Sequence, residues 1–534
     1  MKALLLYPEF SGFGFWNYKD VCKLVGAKHP ESPLGLITLA ALFPENWDTK
    51  LIDLNTRILD DSHIDWADLV FIGGMLPQQT AFLRLIDKAH SLGKKVVAGG
   101  PDPTSRPHIY EKADYLVLGE AESSFQLFLE DLGKGVQTGE YKADSKPDLT
   151  ESPTPRFELL DLRDYLMIGI QLSRGCPYNC EFCDIIELYG RKPRTKTPQQ
   201  IVKELDTLYR LGYRGHVDLV EDNIVGYKEK AKEILVEMKV WSEKNGYPFF
   251  YSTEASINIA DDDDLLGLLR DLDFRYVFIG IETADENVLK SVNKKQNTNR
   301  ILIDDLHKIY RHGMLVNGGF IIGFDNETSE SARSVIQIIE QGKICISMVG
   351  LLYALPNTQL ERRLVKENRM IENFAKYREF DEYDVDQVTS GLNFVTNRSR
   401  SEIIDDFLYI QGKIYSPKNY FNRCLNVSKS IENDYKFKPS SKQILTFGKA
   451  FFKIVLKLGL KPATFFYFWR NILIILFSRI SSLETVVNLM AMYIHFHKQT
   501  KFVMELMMKK KHKQQDYINS TKVEKETGNI LVTD

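Results

Sequence analysis

The first 130 residues alternate two apolar patterns. Short continuous runs, KALLLYP, TKLIDLN, ADLVFIGG, KKVVAGG and ADYLVLGE, each close on Gly, Pro, Asn or a carboxylate. Between them, LGLITLAALF and TAFLRLIDKAHSLG place apolar residues at helical spacing. Runs that are apolar throughout, separated by helices, predict a doubly wound parallel sheet buried on both faces. Ligands of such sheets bind at the carboxyl ends of the strands. Those ends carry Asp53 and Asn55, Gly73 and Gly74, Gly99 and Gly100, and Gly119 and Glu120. Glycines there would let the backbone approach a large flat ligand, although tight strand-to-helix turns explain them equally well. There is no G-x-G-x-x-G, so a dinucleotide is not the expected ligand.

Residues 134–165 are polar and rich in Gly, Pro, Ser and Thr, and are expected to link this first domain (1–133) to a second. Over 166–365 the alternation resumes, with strands expected in MIGIQLSR, GHVDLVED, FFYSTEA, YVFIGIE, VNGGFIIGF and SMVGLLYAL. Six such strands predict a partial (β/α)6 barrel with its working residues at the strand ends. Residues 366–534 read as a mostly helical domain with a disordered tail.

Composition sharpens the picture. The chain has 534 residues, 69 basic and 72 acidic, a net charge of −3, which argues against a nucleic-acid partner held by bulk charge. Six cysteines are far too few for a disulfide scaffold, and the apolar start stops at Pro8, too soon for a signal peptide. A cytoplasmic location is the expectation, with cysteines free for metal chemistry. The charge is unevenly spread: residues 442–513 hold 13 Lys and Arg against Glu484 and Glu505, a surplus of 11, leaving the rest at −14. There Lys449, Lys453 and Lys457 fall at i, i+4 and i+8, one stripe on a helix, followed by the apolar run Pro462 to Phe477. That run is too short to span a bilayer, which needs ~20 residues. It predicts either a cap packed on the barrel or a surface for anionic lipid, at the inner face of a membrane.

The chemistry concentrates in Arg174-Gly175-Cys176-Pro177-Tyr178-Asn179-Cys180-Glu181-Phe182-Cys183. Three thiolates at C-x3-C-x2-C spacing can bind three irons of a [4Fe–4S] cube and leave the fourth open. A zinc knuckle completed by His216 is the alternative. Cys22, Cys345 and Cys424 have no partner nearby in sequence.

This loop, with Phe182 before its last cysteine, resembles the radical S-adenosylmethionine superfamily, and LIDLN, VVAGGPDPT and ADYLVLGEAE resemble the cobalamin-binding domain of its B12-dependent class. The carboxyl-terminal extension is weakly similar to the hopanoid C-2 methylase subgroup. The resemblance implies three cofactors, a [4Fe–4S] cluster on Cys176, Cys180 and Cys183, S-adenosylmethionine and cobalamin. It also implies contacts to S-adenosylmethionine from Phe182, from Glu221, Asp222 and Asn223 in place of a Gly-Gly-Glu segment, and from Glu254 and Glu282. In place of the adenine pattern stand Gly319, Ile321 and Gly323, with Glu327 one position late. Cobalamin is expected at the eight strand-end residues of the first domain. No histidine follows the first strand and His63 lies after a later one, so no histidine should ligate cobalt.

These cofactors imply methyl transfer from cobalamin to an unactivated carbon of a small or lipid-like substrate, with electrons from a flavodoxin- or ferredoxin-type donor. Cyclisation or oxidation without net methyl transfer is the alternative within the class, and a non-catalytic corrinoid sensor the alternative outside it.

Overall fold

The computed structural model describes residues 1–10, 14–15, 17–371, 391–432 and 434–527. The expected disordered tail lies largely beyond them. Seven strands precede the cysteine loop's domain: β1 (Lys2–Tyr7), β2 (His29–Glu31), β3 (Asp48–Asp53), β4 (Leu69–Gly73), β5 (Lys95–Gly99), β6 (Tyr115–Leu118) and β7 (Gly139–Lys142). Six form one wholly parallel sheet in the order β3-β1-β4-β5-β6-β7. The apolar runs pack on both faces: Leu4, Leu6, Val70 and Ile72 lie in one core, and Leu5, Phe71 and Val97 in the other.

Two strands correct the sequence reading. β7 falls inside the expected linker, yet Tyr115 to Leu118 pair in register with Gly139 to Lys142. Only Tyr141 of that strand is buried, so an edge strand this polar carries no hydrophobic run to announce it. β2 leaves the first domain altogether and pairs with β8 (Tyr165–Ile170), His29 beside Tyr165 and Glu31 beside Met167. With Pro30 at its centre and three residues in all, it can serve only at an edge.

The second sheet therefore has seven strands, not six. After β8 come a two-stranded ribbon, β9 (Ser173–Arg174) and β10 (Arg194–Thr195), and then β11 (Gly215–Leu219), β12 (Phe249–Ala255), β13 (Phe274–Glu282), β14 (Leu315–Ile322) and β15 (Ile346–Leu351). The order β15-β14-β13-β12-β11-β8-β2 is parallel throughout and curls into an open barrel. Segments following the carboxyl ends of the two sheets meet. Arg174, after β8, donates to Glu120, after β6, and Asn357, after β15, donates to the Ser105 carbonyl, after β5.

The carboxyl-terminal region is helical, as expected. Helices α1 (Lys19–Val25), α2 (Ala121–Gly133) and α3 (Gln359–Lys366) belong to or flank the two sheets. Then follow α4 (Arg400–Ile414), α5 (Pro417–Ser430), α6 (Ser441–Ile454), α7 (Pro462–Ser478) and α8 (Leu483–Thr527). Gln411 of α4 and Tyr415, just past its end, hydrogen-bond β15 at Val349 and Ser347, while α8 packs on both α4 and α1. The helices thus run from one barrel edge toward the other, near β2. One hydrophobic core continues from the sheets into these helices.

Candidate functional site

The cysteine loop begins with a glycine that nothing else could replace. Gly175 sits at φ +98°, and a Cβ there would lie 3.0 Å from the carbonyl oxygens of Gly190 and Lys192. Its N–H donates to Asp222 Oδ2 at 2.6 Å, and Cys176 N–H donates to the Gly190 carbonyl at 3.2 Å. Farther along, Glu181 N–H donates to Val292 O while Glu181 O accepts from Leu360 N–H. Its carboxylate also takes two bonds from Arg363. The loop is anchored at both ends before any ligand arrives.

Cys180 is buried and Cys176 and Cys183 half-buried. Asn223 Nδ2 lies 3.8 Å from Cys176 Sγ, and Gln296 Nε2 3.6 Å from Cys180 Sγ, so each sulfur has an amide donor. Burial pushes the thiols of Cys176 and Cys183 up, whereas the nearby Lys294 ammonium works the other way. Lys294 is itself buried, which disfavours its charge. The attraction of Glu282 at 2.8 Å, and of Cys180 and Cys183, outweighs that and keeps it cationic. Three thiols, two of them with amide donors, beside a buried cation and with no fourth cysteine next to them, fit a cuboidal cluster that leaves one iron open. The zinc alternative loses its fourth ligand. His216 stands at the start of β11, stacked on Phe250, with Nε2 2.7 Å from Ser252 Oγ. Among the described residues no three His, Cys, Asp or Glu side chains are gathered as around one metal ion.

The acids expected to meet S-adenosylmethionine divide. Glu221 turns back to the chain: its carboxylate accepts from Leu172 N–H at 2.7 Å, Ser173 N–H at 3.0 Å and the Ser173 hydroxyl. Burial pushes it up to about 8. It fixes the strand that leads into the cysteine loop, as Asp222 fixes Gly175. Asn223 braces Ser256 through both amide atoms. Glu254 accepts from Glu221 N–H at 3.0 Å and is raised well above the usual range by burial and by Asp218. Glu282, at φ +66°, holds Lys294.

Gly319, Ile321 and Gly323 lie on or just after β14. A Cβ on Gly319 would meet Phe278 at 2.8 Å, and one on Gly323, at φ +110°, would meet Leu392 at 2.6 Å. Gly323 N–H donates to Glu327 Oε2 at 2.9 Å. Past the end of β14 opens a cavity of about 510 Å³ lined by Phe182, Phe324, Leu352, Asp325, Arg363 and Arg369. It joins the cysteine loop to the ends of β14 and β15, so Phe182 lines space large enough for a ligand.

In the first domain, the strand-end residues are mostly committed to the fold. Asp53 accepts from the Tyr165 hydroxyl and from Asn55, and Asn55 in turn ties Phe10 N–H and the Pro8 carbonyl. Gly73 and Gly74 abut Leu36 and Phe82; Gly99 and Gly100 lie against Val117 O and Gly74 O. At these four, close packing is the geometry observed. Gly119, at φ +78°, alone has open space where a Cβ would point. His63 closes a capping box on Asp61–Trp66 and is engaged there.

Glu120 is the surprise. Arg174 and Arg194 both donate to it, at 2.8 Å each, and Arg174 also grips Glu122 at 2.7 Å. All four side chains are at least 85% buried. The arginine next to the cysteine loop is thus locked to the first domain at the amino terminus of α2. Composition gave no signal for this pairing, since partners 52 to 74 residues apart meet only in the folded chain. The sequence reading also missed Lys294, Gln296 and Asn297, which come together after the short helix Glu286–Ser291 that follows β13.

The comparisons agree with this anatomy. Residues 170–339 match the radical SAM superfamily, 24–129 the B12 binding domain, and 358–508 a domain of unknown function. An uncharacterized methyltransferase of Synechocystis is 40% identical over 501 residues, covering 93% of this chain and 91% of its own. The hopanoid C-2 methylase of Rhodopseudomonas palustris is 36% identical over 376 residues, 69% and 71% of the two chains. In fold, the chain is similar to the cobalamin-dependent S-adenosylmethionine radical enzyme OxsB, with a TM-score of 0.58 at 15% identity, covering all of this chain and 81% of that one. The methyltransferase TsrM of Kitasatospora setae gives 0.54 at 17% identity, over 68% and 78%. A cysteine triplet on a curled parallel sheet, locked to a second parallel sheet, thus meets relatives that span nearly the whole chain, and the protein belongs to the B12-dependent radical S-adenosylmethionine enzymes.

Proposed function

We propose that the protein is a C-methyltransferase acting on an unactivated carbon of a lipid-like substrate. The observation that carries this is the hopanoid C-2 methylase relative, whose identity extends over 376 residues and so exceeds either cofactor domain alone. When bound, the cluster with S-adenosylmethionine supplies a hydrogen-abstracting radical and the cobalamin supplies the methyl group.

The chain's own residues hold and orient. Cys176, Cys180 and Cys183 would take the cluster, with Asn223 and Gln296 donating to sulfur and Lys294 offsetting its negative charge. Phe182 offers an apolar wall to S-adenosylmethionine, and Asp222 and Glu254 offer acceptors for its ammonium group. Glu120, through Arg174, holds the two halves at one separation. We further propose an external flavodoxin- or ferredoxin-type electron donor, and peripheral membrane contact through residues 442–513. No described helix is long and apolar enough to cross a membrane.

The test uses anaerobically reconstituted enzyme, methyl-labelled S-adenosylmethionine and lipid extracts. Label should enter a solvent-extractable product, and replacing the three cysteines by alanine should abolish it. A product that gains no labelled carbon would favour cyclisation or oxidation, and unchanged label without the cysteines would overturn the reading.

A further inference from the structure

Large apolar side chains are not spread evenly over the surface. Of 26 that are exposed among the described residues, 13 lie between Ile444 and Ile480, 12 of them on α6, α7 and the turn joining them and Ile480 just after α7. Phe477 is 84% exposed, Phe466 64%, Phe452 62% and Leu460 60%. Scattered exposed apolar residues need no explanation, but a concentration like this marks an interaction surface.

This surface is built, not frayed. The opposite face of α7 is committed to the body: Phe468 and Ile475 are buried, and Asn471 donates to the Phe421 carbonyl at 2.7 Å. Thr464 caps Leu458 O and Trp469 Nε1 donates to Gly459 O at 2.9 Å, fixing the turn. At the base, Lys453 donates to the Lys23 and Leu24 carbonyls and closes the end of α1. The expected three-lysine stripe is accordingly broken: Lys453 is anchored, and Val455–Gly459 is a π-helical turn. That turn lets α6 end and α7 return, and leaves Leu456, Leu460, Phe465 and Phe466 exposed around the bend. Helix α7 thus packs one face on α5 and α8 and presents a second apolar face outward.

Charge chooses the occupant. Between Asp434 and Glu484 there is no acid, while nine Lys and Arg fall in that interval. Lys442, Lys449 and Lys461 are exposed beside the apolar residues. A second copy of this chain would bring the same uncompensated cations face to face. An anionic phospholipid leaflet supplies both the apolar phase and the counter-charge. Spanning is excluded by length: α7 has 17 residues, about 26 Å at 1.5 Å per residue, and carries Arg470 bonded to Asn422 and Asn471.

We infer that α6 and α7 form a foot that dips its turn and outward face into one anionic leaflet. This rests on the lipid-like reading for its purpose but not for its geometry. The full chain, without added cofactors, is floated with vesicles of phosphatidylcholine alone or mixed with phosphatidylglycerol. Recovery should be about tenfold higher on the anionic vesicles and fall toward the neutral value in ~0.5 M salt. Phe466→Ser with Phe477→Ser, both exposed, should lose about tenfold at an unchanged melting temperature. Lys442→Glu with Lys449→Glu and Lys461→Glu should lose the preference for anionic lipid. Equal recovery on both vesicles, unaffected by any variant, overturns the inference. So does light scattering that shows a dimer which the Phe variant dissociates. Methyl-label incorporation is measured separately, so failure of flotation leaves the methyltransferase reading intact, and the converse holds.

Discussion

Single residues divide into those that could change and those that could not. Gly100 sits at φ +101° with a would-be Cβ 2.9 Å from Gly74 O, whereas Gly119 sits at φ +78° with open space. Gly119→Ala should cost only the backbone strain, about 1 kcal/mol, and Gly100→Ala roughly 2–3 kcal/mol, because the Gly74 backbone must also shift. Urea midpoints would check the order, and equal losses would contradict it. The cysteines divide likewise. Alanine at Cys176, Cys180 or Cys183 should abolish bound iron and sulfide, while alanine at Cys22 should leave both unchanged, since burial raises that thiol to about 12 and keeps it a packing residue.

At the scale of elements, β2 brings a buried acid into the barrel. Glu31 meets Asp218 on β11 and lies near Glu254 on β12, with Tyr18 and His29 as further neighbours and no cation among them. Burial pushes Glu31 up to about 8 and Asp218 up to about 6. A carboxyl group whose folded value exceeds its unfolded value binds more protons in the folded state. Its contribution is therefore complete below the ordinary value of 4.5 and is lost as pH rises toward 8. The melting temperature should fall between pH 5 and pH 8, by calorimetry on the purified chain, and Glu31→Gln should flatten that slope. A variant as steep as the parent would remove Glu31 from the account. Glu122 works in the opposite sense. Burial alone would raise it, but Arg174 prevails and holds it at about 2, so its contribution is present above 4.5 and lost below.

Across the whole molecule, Arg174 joins the halves. Removing it leaves Glu120 and Glu122 buried, with only Arg194 to answer Glu120, which should cost roughly 3–5 kcal/mol. Because one core runs through both sheets and the carboxyl-terminal helices, the parent should unfold in a single urea transition. Arg174→Ala should separate it into two, followed by near- and far-ultraviolet dichroism. A single, merely shifted transition would show that the apolar contacts suffice to couple the halves. Arg174→Lys keeps the charge without the fork and should restore only part of the loss.

The sequence by itself determined what local chemistry can encode. Continuous apolar runs gave five strands of the first sheet and six of the second, because burial on both faces leaves no polar alternation. The cysteine spacing singled out the candidate cluster loop, since its three thiols lie within eight residues. The charge surplus and apolar run at 442–513 marked the segment proposed as a foot, though not which face would point outward. The tertiary structure alone decided the rest. β7 and β2 are too polar or too short to appear in a hydrophobic pattern and are strands only because a neighbour offers an edge. The strand-end acids looked equivalent in sequence, yet Glu221 staples its own sheet, Glu120 binds arginines 54 and 74 residues away, and Glu282 holds a lysine 12 residues on, beyond a short helix. Which partner a carboxylate takes depends on distances between segments far apart in the chain. Those distances are set by how the two sheets pack, a quantity that no local window contains.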